Sequence, residues 1–324
     1  MSRLRYLARK ISWLLVALYG IVTFNFVLFH LLPGNPVQLL ARSGHLTPQA
    51  VADITRVYGL NHPPLEQYLI YLGNLLHGQL GISFTYREPV RALLGQYLGN
   101  TILLLAGATV LTIVLGVLAG VVAASRRGGG YDSAIVTASV IGWSLPTFWT
   151  GLILAFVLGV WLHAFPIFGM ETPNAVYTSQ LQRVEDIGAH LFLPTLTLVI
   201  VNIAQFVLVA RAAVIEVLSE DFMLTATAKG LLPRRILWRH AVRNALLPIV
   251  TSSALLIGLV VGGAIEVETV FSWPGMGLLV YNAVLNRDYP VIEAAFLVFA
   301  IVVLLVNFAS DLLYQVLDPR VREA

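Results

Sequence analysis

Apolar residues gather into six long runs, 11–32, 101–124, 134–162, 191–213, 245–265 and 291–316, separated by stretches where Pro, Gly and charged residues concentrate. Each run reaches the roughly 17–25 residues a helix needs to cross the hydrocarbon core of a bilayer. The pattern predicts an all-α membrane protein with six transmembrane helices. Pro146 falls inside the long third run, so a kink or tilt is expected there. The first run follows Arg3, Arg5, Arg9 and Lys10, the order of a cleaved signal peptide. Such a peptide has a shorter apolar region, roughly 7–15 residues, ending in small residues. Here the run is longer and ends in Pro33-Gly34-Asn35-Pro36, which reads as an uncleaved first helix.

The same pattern divides the chain into a basic segment with the first helix (1–32), a long external segment (33–100) and a five-helix core (101–324) holding the loop 214–244. The 33–100 segment is rich in Pro and Gly and punctuated by Tyr58, Tyr68, Tyr71, Phe84 and Tyr86. It is too sparsely apolar for two spans, and short helices lying along the membrane surface are expected. In the second run Ala108, Thr112, Gly116, Gly120 and Ala124 recur every fourth residue. A stripe of small side chains lets a neighbouring helix backbone approach closely, although glycine is also simply common in membrane helices.

Composition supports the membrane reading. Of 324 residues, 58% are apolar and 11% charged, against roughly 25% charged in soluble domains, and the mean hydropathy is +0.81. There is no cysteine, which excludes disulfides, thiolate metal sites and cysteine nucleophiles. Only two lysines occur, Lys10 and Lys229, followed by Ile11 and Gly230. A phosphate-binding loop needs Lys followed by Ser or Thr, so the chain cannot bind ATP by that route.

The net charge of +3 and pI near 9.2 raise the question of nucleic acid, and the placement of the charges answers it. Fourteen of the 20 basic residues fall in the N-terminal segment, the second-to-third loop (Arg126, Arg127), the fourth-to-fifth loop with its flank (Arg211, Lys229, Arg234, Arg235, Arg239, Arg243) and the tail (Arg320, Arg322). By the positive-inside rule these lie in the cytoplasm together with both termini. The excess of basic residues is therefore a topology signal, and no nucleic-acid partner is expected.

The most informative stretch runs from Glu216 to Pro248, EVLSEDFMLTATAKGLLPRRILWRHAVRNALLP. Asp221 or Ser219 can cap a helix beginning near Phe222. Phe222, Ala226 and Lys229 share one face by helical spacing. Gly230 is a natural stop, and Pro233 can open a second, basic helix leading to the fifth run. A merely solvated basic loop accounts for the arginines. It does not account for a small-residue helix ended by Lys229-Gly230, nor for apolar Phe222 and Met223 facing the cytosol. Such an element suits insertion into a groove of a partner protein.

These residues resemble the EAA loop of ABC importer membrane subunits, and most closely the peptide and nickel branch of the binding-protein-dependent transport family. The match is carried by Asp221, Phe222, Thr225, Ala226, Ala228, Lys229, Gly230 and Leu231, then Arg235, His240, Arg243, Asn244, Ala245 and Pro248. Leu224 and Thr225 stand where the wider motif has Glu and Ala, a departure that the peptide branch shares. Further similar segments span the chain: Leu31-Leu32-Pro33-Gly34-Asn35-Pro36, Gly78-Gln79-Leu80-Gly81-Ile82-Ser83, Ser144-Leu145-Pro146-Thr147-Phe148, Phe271-Ser272-Trp273-Pro274-Gly275, Arg287-Asp288-Tyr289-Pro290 and Asp318-Pro319-Arg320.

The resemblance implies a type I importer fold in a prokaryotic cell membrane. It implies a permease, with no catalytic residue of its own, for di- or oligopeptides, or alternatively for nickel or glutathione. The implied partners are a second homologous permease, one or two ABC ATPases that carry ATP and Mg, and an extracytoplasmic binding protein. The residues from Asp221 to Asn244 named above would form the coupling contact with an ATPase.

Polar groups inside the spans are the remaining candidates. Asn202 and Gln205 share one face of the fourth run, and Ser144 and Thr147 flank Pro146. They can line a pathway for a polar solute or equally hold the bundle together. Glu266, Glu268 and Glu293 sit near the outer ends, facing water or the binding protein. His30, His163 and His190 lack metal-ligand spacing, so no metal site is assigned. An ion-coupled secondary transporter is the other reading, but it normally carries a central membrane-embedded acid, and none is present. The motifs of zinc proteases and serine hydrolases are also missing.

Overall fold

The computed structural model describes residues 3–31, 61–246 and 265–317, with Gln49 and Thr55 as isolated positions. The elements are helical: α1 (Arg3–Leu31), α2 (Pro64–Leu76), α3 (Val90–Ser125), α4 (Gly130–Ser144), α5 (Thr147–Trp161, a π-helix from Ala155), α6 (Gln180–Leu218), α7 (Asp221–Ala228), α8 (Pro233–Arg235, continuing as a π-helix over Ile236–Ala241), α9 (Met276–Leu285) and α10 (Tyr289–Leu317). Among the described residues the only β pairing is the isolated bridge Ile82–Pro89.

Four of these helices are long and apolar enough to cross a membrane: α1, α3, α6 and α10. At 1.5 Å per residue, α3 and α6 are about 54 and 58 Å long, so each projects well beyond a hydrocarbon core of about 30 Å. The third expected run is a broken span in which α4 and α5 meet at 105°. The break falls at Leu145–Pro146, both extended, because proline disfavours a helical residue before it. This is sharper than a kink. The fifth expected run, 245–265, lies almost wholly outside the described residues, as do Pro248, 33–48 and 318–324.

The chain divides into two compact units, Met1–Gly99 with Leu278–Leu305, and Asn100–Gly277 with Val306–Ala324. In the first, α2 packs on α1. Phe26 meets Tyr68 edge-on at 5.1 Å between ring centroids, and Thr23 Oγ1 lies 2.7 Å from the Tyr68 hydroxyl. Asn25 Nδ2 donates to the Glu293 carbonyl at 3.1 Å, tying α1 to α10.

In the second unit the small-residue stripe is the seam between α3 and α6. Ala108, Thr112 and Ala124 are buried. A Cβ on Gly116 would lie 2.5 Å from Phe206 Cβ, and one on Gly120 would lie 2.6 Å from the Val207 carbonyl oxygen. Gly142 makes the same kind of approach from α4, its Cβ position 2.9 Å from the Ile200 carbonyl. With no hydrophobic drive between helices in lipid, such close backbone packing holds the bundle.

Candidate functional site

The loop after α6 builds a short helix with a rigid end. Helix α7 starts after Glu220, whose side chain makes no capping bond. Neither expected cap is used: Ser219 Oγ donates back to the Ile215 carbonyl at 2.9 Å. Asp221 instead sits in the first turn, where a carboxylate favours the helix dipole. At the far end Gly230 is left-handed at φ 70°. Its N–H donates to Thr227 O at 2.9 Å, and Leu231 N–H donates to Ala226 O at 3.5 Å. These two bonds are a Schellman cap, closing the last carbonyls of the helix.

The facing of α7 differs from the sequence expectation. Met223 and Ala226 point inward and join a cluster with Val121, Ala124, Ala210, Ala213, Val214, Ile236 and Ala241. Phe222 and Leu224 point outward, 43% and 70% exposed. Phe222 and Ala226 therefore do not form one contact face, and Met223 is core. Thr225, Ala228, Lys229, Arg235, Arg243 and Asn244 are exposed, while Leu231 and His240 are partly covered. Pro233 takes the first helical position of α8, and Asn244 Nδ2 donates to His240 O at 2.8 Å.

An ion pair braces this platform. Arg211 on α6 holds Asp132 on α4 through Nε at 2.6 Å and Nη2 at 2.8 Å, and Asp132 Oδ2 also accepts the Gly128 N–H at 2.9 Å. Arg126 lies over the Tyr131 ring at 4.2 Å. Sequence reasoning had counted Arg211 only as a topology charge.

The four polar pathway candidates have different fates. Asn202 donates to Leu198 O at 2.7 Å and Ser144 to Val140 O at 2.9 Å, so both are satisfied within their own helices. Thr147 is partly covered and Gln205 is exposed. At the break, Glu266 Oε2 accepts the Phe148 N–H at 3.2 Å, satisfying one donor freed at the start of α5.

Two other carboxylates are fully buried. Glu268 accepts from Thr101 Oγ1 at 2.6 Å and from Gly277 N–H at 2.6 Å. Trp273 Nε1 donates to Asn100 O at 3.0 Å beside it. Asp288 accepts from Ser83 Oγ at 2.5 Å and from the N–H groups of Phe84 and Thr85 at 3.1 and 3.0 Å. Two motifs quoted from the sequence thus meet, Gly78–Ser83 and Arg287–Pro290.

His190 is buried, its Nδ1 2.9 Å from Asp186 O and 3.5 Å from Asp186 Oδ1. The His30 side chain lies outside the described part. Among the described residues no cluster of three or more ligating side chains is present. In the loop before α6, Tyr177 donates to Asp186 Oδ2 at 2.7 Å. A phenolate there would face the carboxylate, which pushes the hydroxyl up to about 12.

Residues 116–323 match the family of binding-protein-dependent transport system inner membrane components, and residues 3–105 match the N-terminal part of such membrane components. The chain belongs to this family. The permease is 37% identical to a di/tripeptide transport system permease of Pseudomonas aeruginosa, the match covering 98% of this chain and 99% of the relative. A dipeptide transport system permease of Escherichia coli is 34% identical over the same shares. An oligopeptide transport system permease of Bacillus subtilis is 36% identical, covering 98% of each. In fold, the permease is similar to an inward-facing methionine ABC transporter chain, with a TM-score of 0.56 and 16% identity, covering 70% of this chain and 96% of that one.

Proposed function

We propose that the permease forms one half of a translocation pathway for di- or oligopeptides in a prokaryotic cell membrane, with both termini in the cytoplasm. The reading rests on one observation: near full-length identity of 34–37% to permeases named for dipeptide, di/tripeptide and oligopeptide transport. Nickel and glutathione are not among the solutes in those names. A second homologous permease completes the pore. One or two ABC ATPases supply ATP hydrolysis with Mg, and an extracytoplasmic binding protein delivers the peptide.

The geometry supports a division of labour within α7. Met223 and Ala226 weld the helix to the bundle, while Phe222, Leu224 and Lys229 stand outward as the contact offered to an ATPase. Asp221, Thr225, Ala228, Gly230 and Leu231 shape that plug, and Arg235, His240, Arg243 and Asn244 continue the surface along α8 and beyond. When the ATPases close on ATP, a plug fixed to α3 and α6 moves those spans with it. Gln205 is the polar candidate with its side chain exposed for the pathway; Ser144, Thr147 and Asn202 contribute the backbone break and helix stability beside it.

The test is Gly230→Val in the complete transport system. Nothing lies within 4 Å of the added Cβ, so the cost is the left-handed φ, roughly 1–2 kcal/mol. We expect membrane insertion to persist, peptide uptake to fall to background and ATPase co-purification to weaken. Asn, which tolerates this conformation, should retain most uptake. Normal ATPase recruitment and uptake in the valine variant would sink the docking assignment. Uptake of nickel in place of peptide would sink the substrate.

A further inference from the structure

The first unit encloses a cavity of about 60 Å³ between α1, α2 and the start of α10. One water needs about 10–15 Å³ of such space, so the cavity has room for a small organic group. Its walls are largely apolar, with Phe26, Leu75, Leu80 and Leu297 among them. Among the described lining residues Glu293 is the one carboxylate, and none is Lys, Arg or His. Among the described residues Glu293 has no ion-pair partner. A carboxylate in apolar surroundings is costly without a cation.

The rest of the lining suits an ammonium. The Phe26 and Tyr71 rings lie 5.5 Å apart and tilted by 37°, and ring faces attract cations. Asn25 Nδ2 reaches the Tyr71 hydroxyl at 3.5 Å, and burial pushes that hydroxyl up to about 12, so the phenol stays neutral and its oxygen can accept. Gln79, whose side chain carries an amide oxygen, also lines the cavity.

Position bears on the source. Glu293 is four residues into α10, about 6 Å along the axis, which is headgroup depth for a span beginning at Tyr289. Phe24, Val27 and Leu28 on α1 are exposed apolar surface on either side of Phe26, suited to acyl chains. On α2, Leu65, Leu69 and Leu76 are exposed as well.

We propose that the Glu293 cavity binds a primary ammonium group, carried either by an aminophospholipid headgroup or by a soluble amine. Glu293 provides the counter-charge and the Phe26–Tyr71 pair the aromatic wall. The exposed apolar surface of α1 favours the lipid. The site does not depend on which solute the permease carries.

The test uses the full chain purified with its partner subunits. Lipids retained after exchange are counted by native mass spectrometry for wild type and Glu293→Gln. We expect wild type to retain phosphatidylethanolamine about tenfold over phosphatidylcholine, whose trimethylated nitrogen has no N–H, and the variant to show no preference; a factor of ten is 1.4 kcal/mol. Ethanolamine, added in phosphatidylcholine discs, is the soluble probe. Thermal stabilisation of wild type and not of Glu293→Gln assigns the site to a free amine. Should the variant fail to fold, carbodiimide treatment of wild type decides. A headgroup amine held against Glu293 is joined to it as an amide, the carbodiimide taking up the water as a urea, and peptide mapping finds the adduct on Glu293. No lipid preference, no ethanolamine stabilisation and no adduct would overturn the proposal.

Discussion

Arg211 and Asp132, 79 residues apart, are joined by two parallel hydrogen bonds of 2.6 and 2.8 Å. The side chain of Asp132 is only 6% exposed. Paired N–H donors in a planar fork make the strongest kind of charge-assisted contact, and a lysine cannot reproduce it. The pair locks the α3–α4 turn to α6, the helix whose end feeds the outward plug of α7.

Breaking that lock should separate ATP hydrolysis from transport. In Arg211→Ala we expect ATPase subunits to remain bound, but peptide-stimulated hydrolysis to drive less uptake per ATP. Arg211→Lys should recover only part of this. The exchanged pair, Asp132→Arg with Arg211→Asp, should recover more than either single change. Uptake per ATP measured in proteoliposomes checks it; equal coupling in Arg211→Ala and wild type would show the pair to be only a local brace.

The two neighbours Phe222 and Met223 should respond oppositely to truncation. Met223→Ala removes a buried side chain and should destabilise the protein by about 2–5 kcal/mol, seen as a lower melting temperature in detergent. Phe222→Ala removes an exposed ring and should leave that temperature within error while weakening ATPase co-purification. If Phe222→Ala melts early, or Met223→Ala does not, the assignment of faces on α7 is reversed.

How far these elements were legible in the sequence depended on the range of the interaction. Gly230 announced the end of α7 because a glycine stop is a local conformational fact. The stripe from Ala108 to Ala124 announced a seam because its spacing is helical, although not that α6 fills it. The orientation of α7 was not legible: an eight-residue helix with apolar residues at both 222 and 223 has two possible inward faces, and packing against Val121 and Ala210 decides between them. Ser83 and Asp288 are 205 residues apart, so each motif was visible while their pairing was not. The Pro146 break was visible, but not its 105° angle, nor that Glu266, 118 residues on, would take the freed Phe148 N–H.

The seam itself should tolerate no added carbon. Gly120→Ala would place its Cβ 2.6 Å from the Val207 carbonyl oxygen and 2.8 Å from Ala210 Cβ. Overpacking of this kind costs about 1–3 kcal/mol, and the opposing atom is backbone, which cannot rotate away. We expect a lower melting temperature for Gly120→Ala and loss of the folded permease for Gly120→Leu. In contrast Gly95→Ala and Gly99→Ala, with nothing within 4 Å, should be silent.

Tyr177 gives a pH signature. Its hydroxyl is pushed up from 10.0 to about 12, chiefly by the hydrogen bond to Asp186. Because the folded value lies above the unfolded one, the contribution to stability is complete below about pH 10 and is lost as pH rises towards 12. Absorbance titration of wild type against Tyr177→Phe should show one phenol missing from the late-ionising group. Thr172, which shares Asp186 through its N–H and hydroxyl, should lose its order in the same range. A difference spectrum centred near pH 10 would show that the bond is not held in solution.

Asp288 should prove indispensable to the loop it grips. It is fully buried, and its two oxygens take the Ser83 hydroxyl and two backbone N–H groups. Ser83 Oγ in turn accepts the Tyr86 N–H at 2.9 Å, so one carboxylate organises the whole turn from 83 to 86. Arg87 and Arg287, flanking the two halves, both adopt positive φ, 57° and 55°, conformations that a non-glycine residue keeps only when its surroundings hold it. Asp288→Ala would orphan three donors at about 1–3 kcal/mol each. Ser83→Ala would remove two links, the one to Asp288 and the one from the Tyr86 N–H, while Asp288 keeps its two backbone donors, and would cost about 1 kcal/mol for each. We therefore expect Asp288→Ala to expose Arg87 to trypsin in the assembled permease, and Ser83→Ala to do so only weakly. Equal protection of Arg87 in wild type and Asp288→Ala would show that the backbone bonds, Arg87 N–H to Ser83 O and Ser83 N–H to Glu88 O among them, hold the turn without the carboxylate.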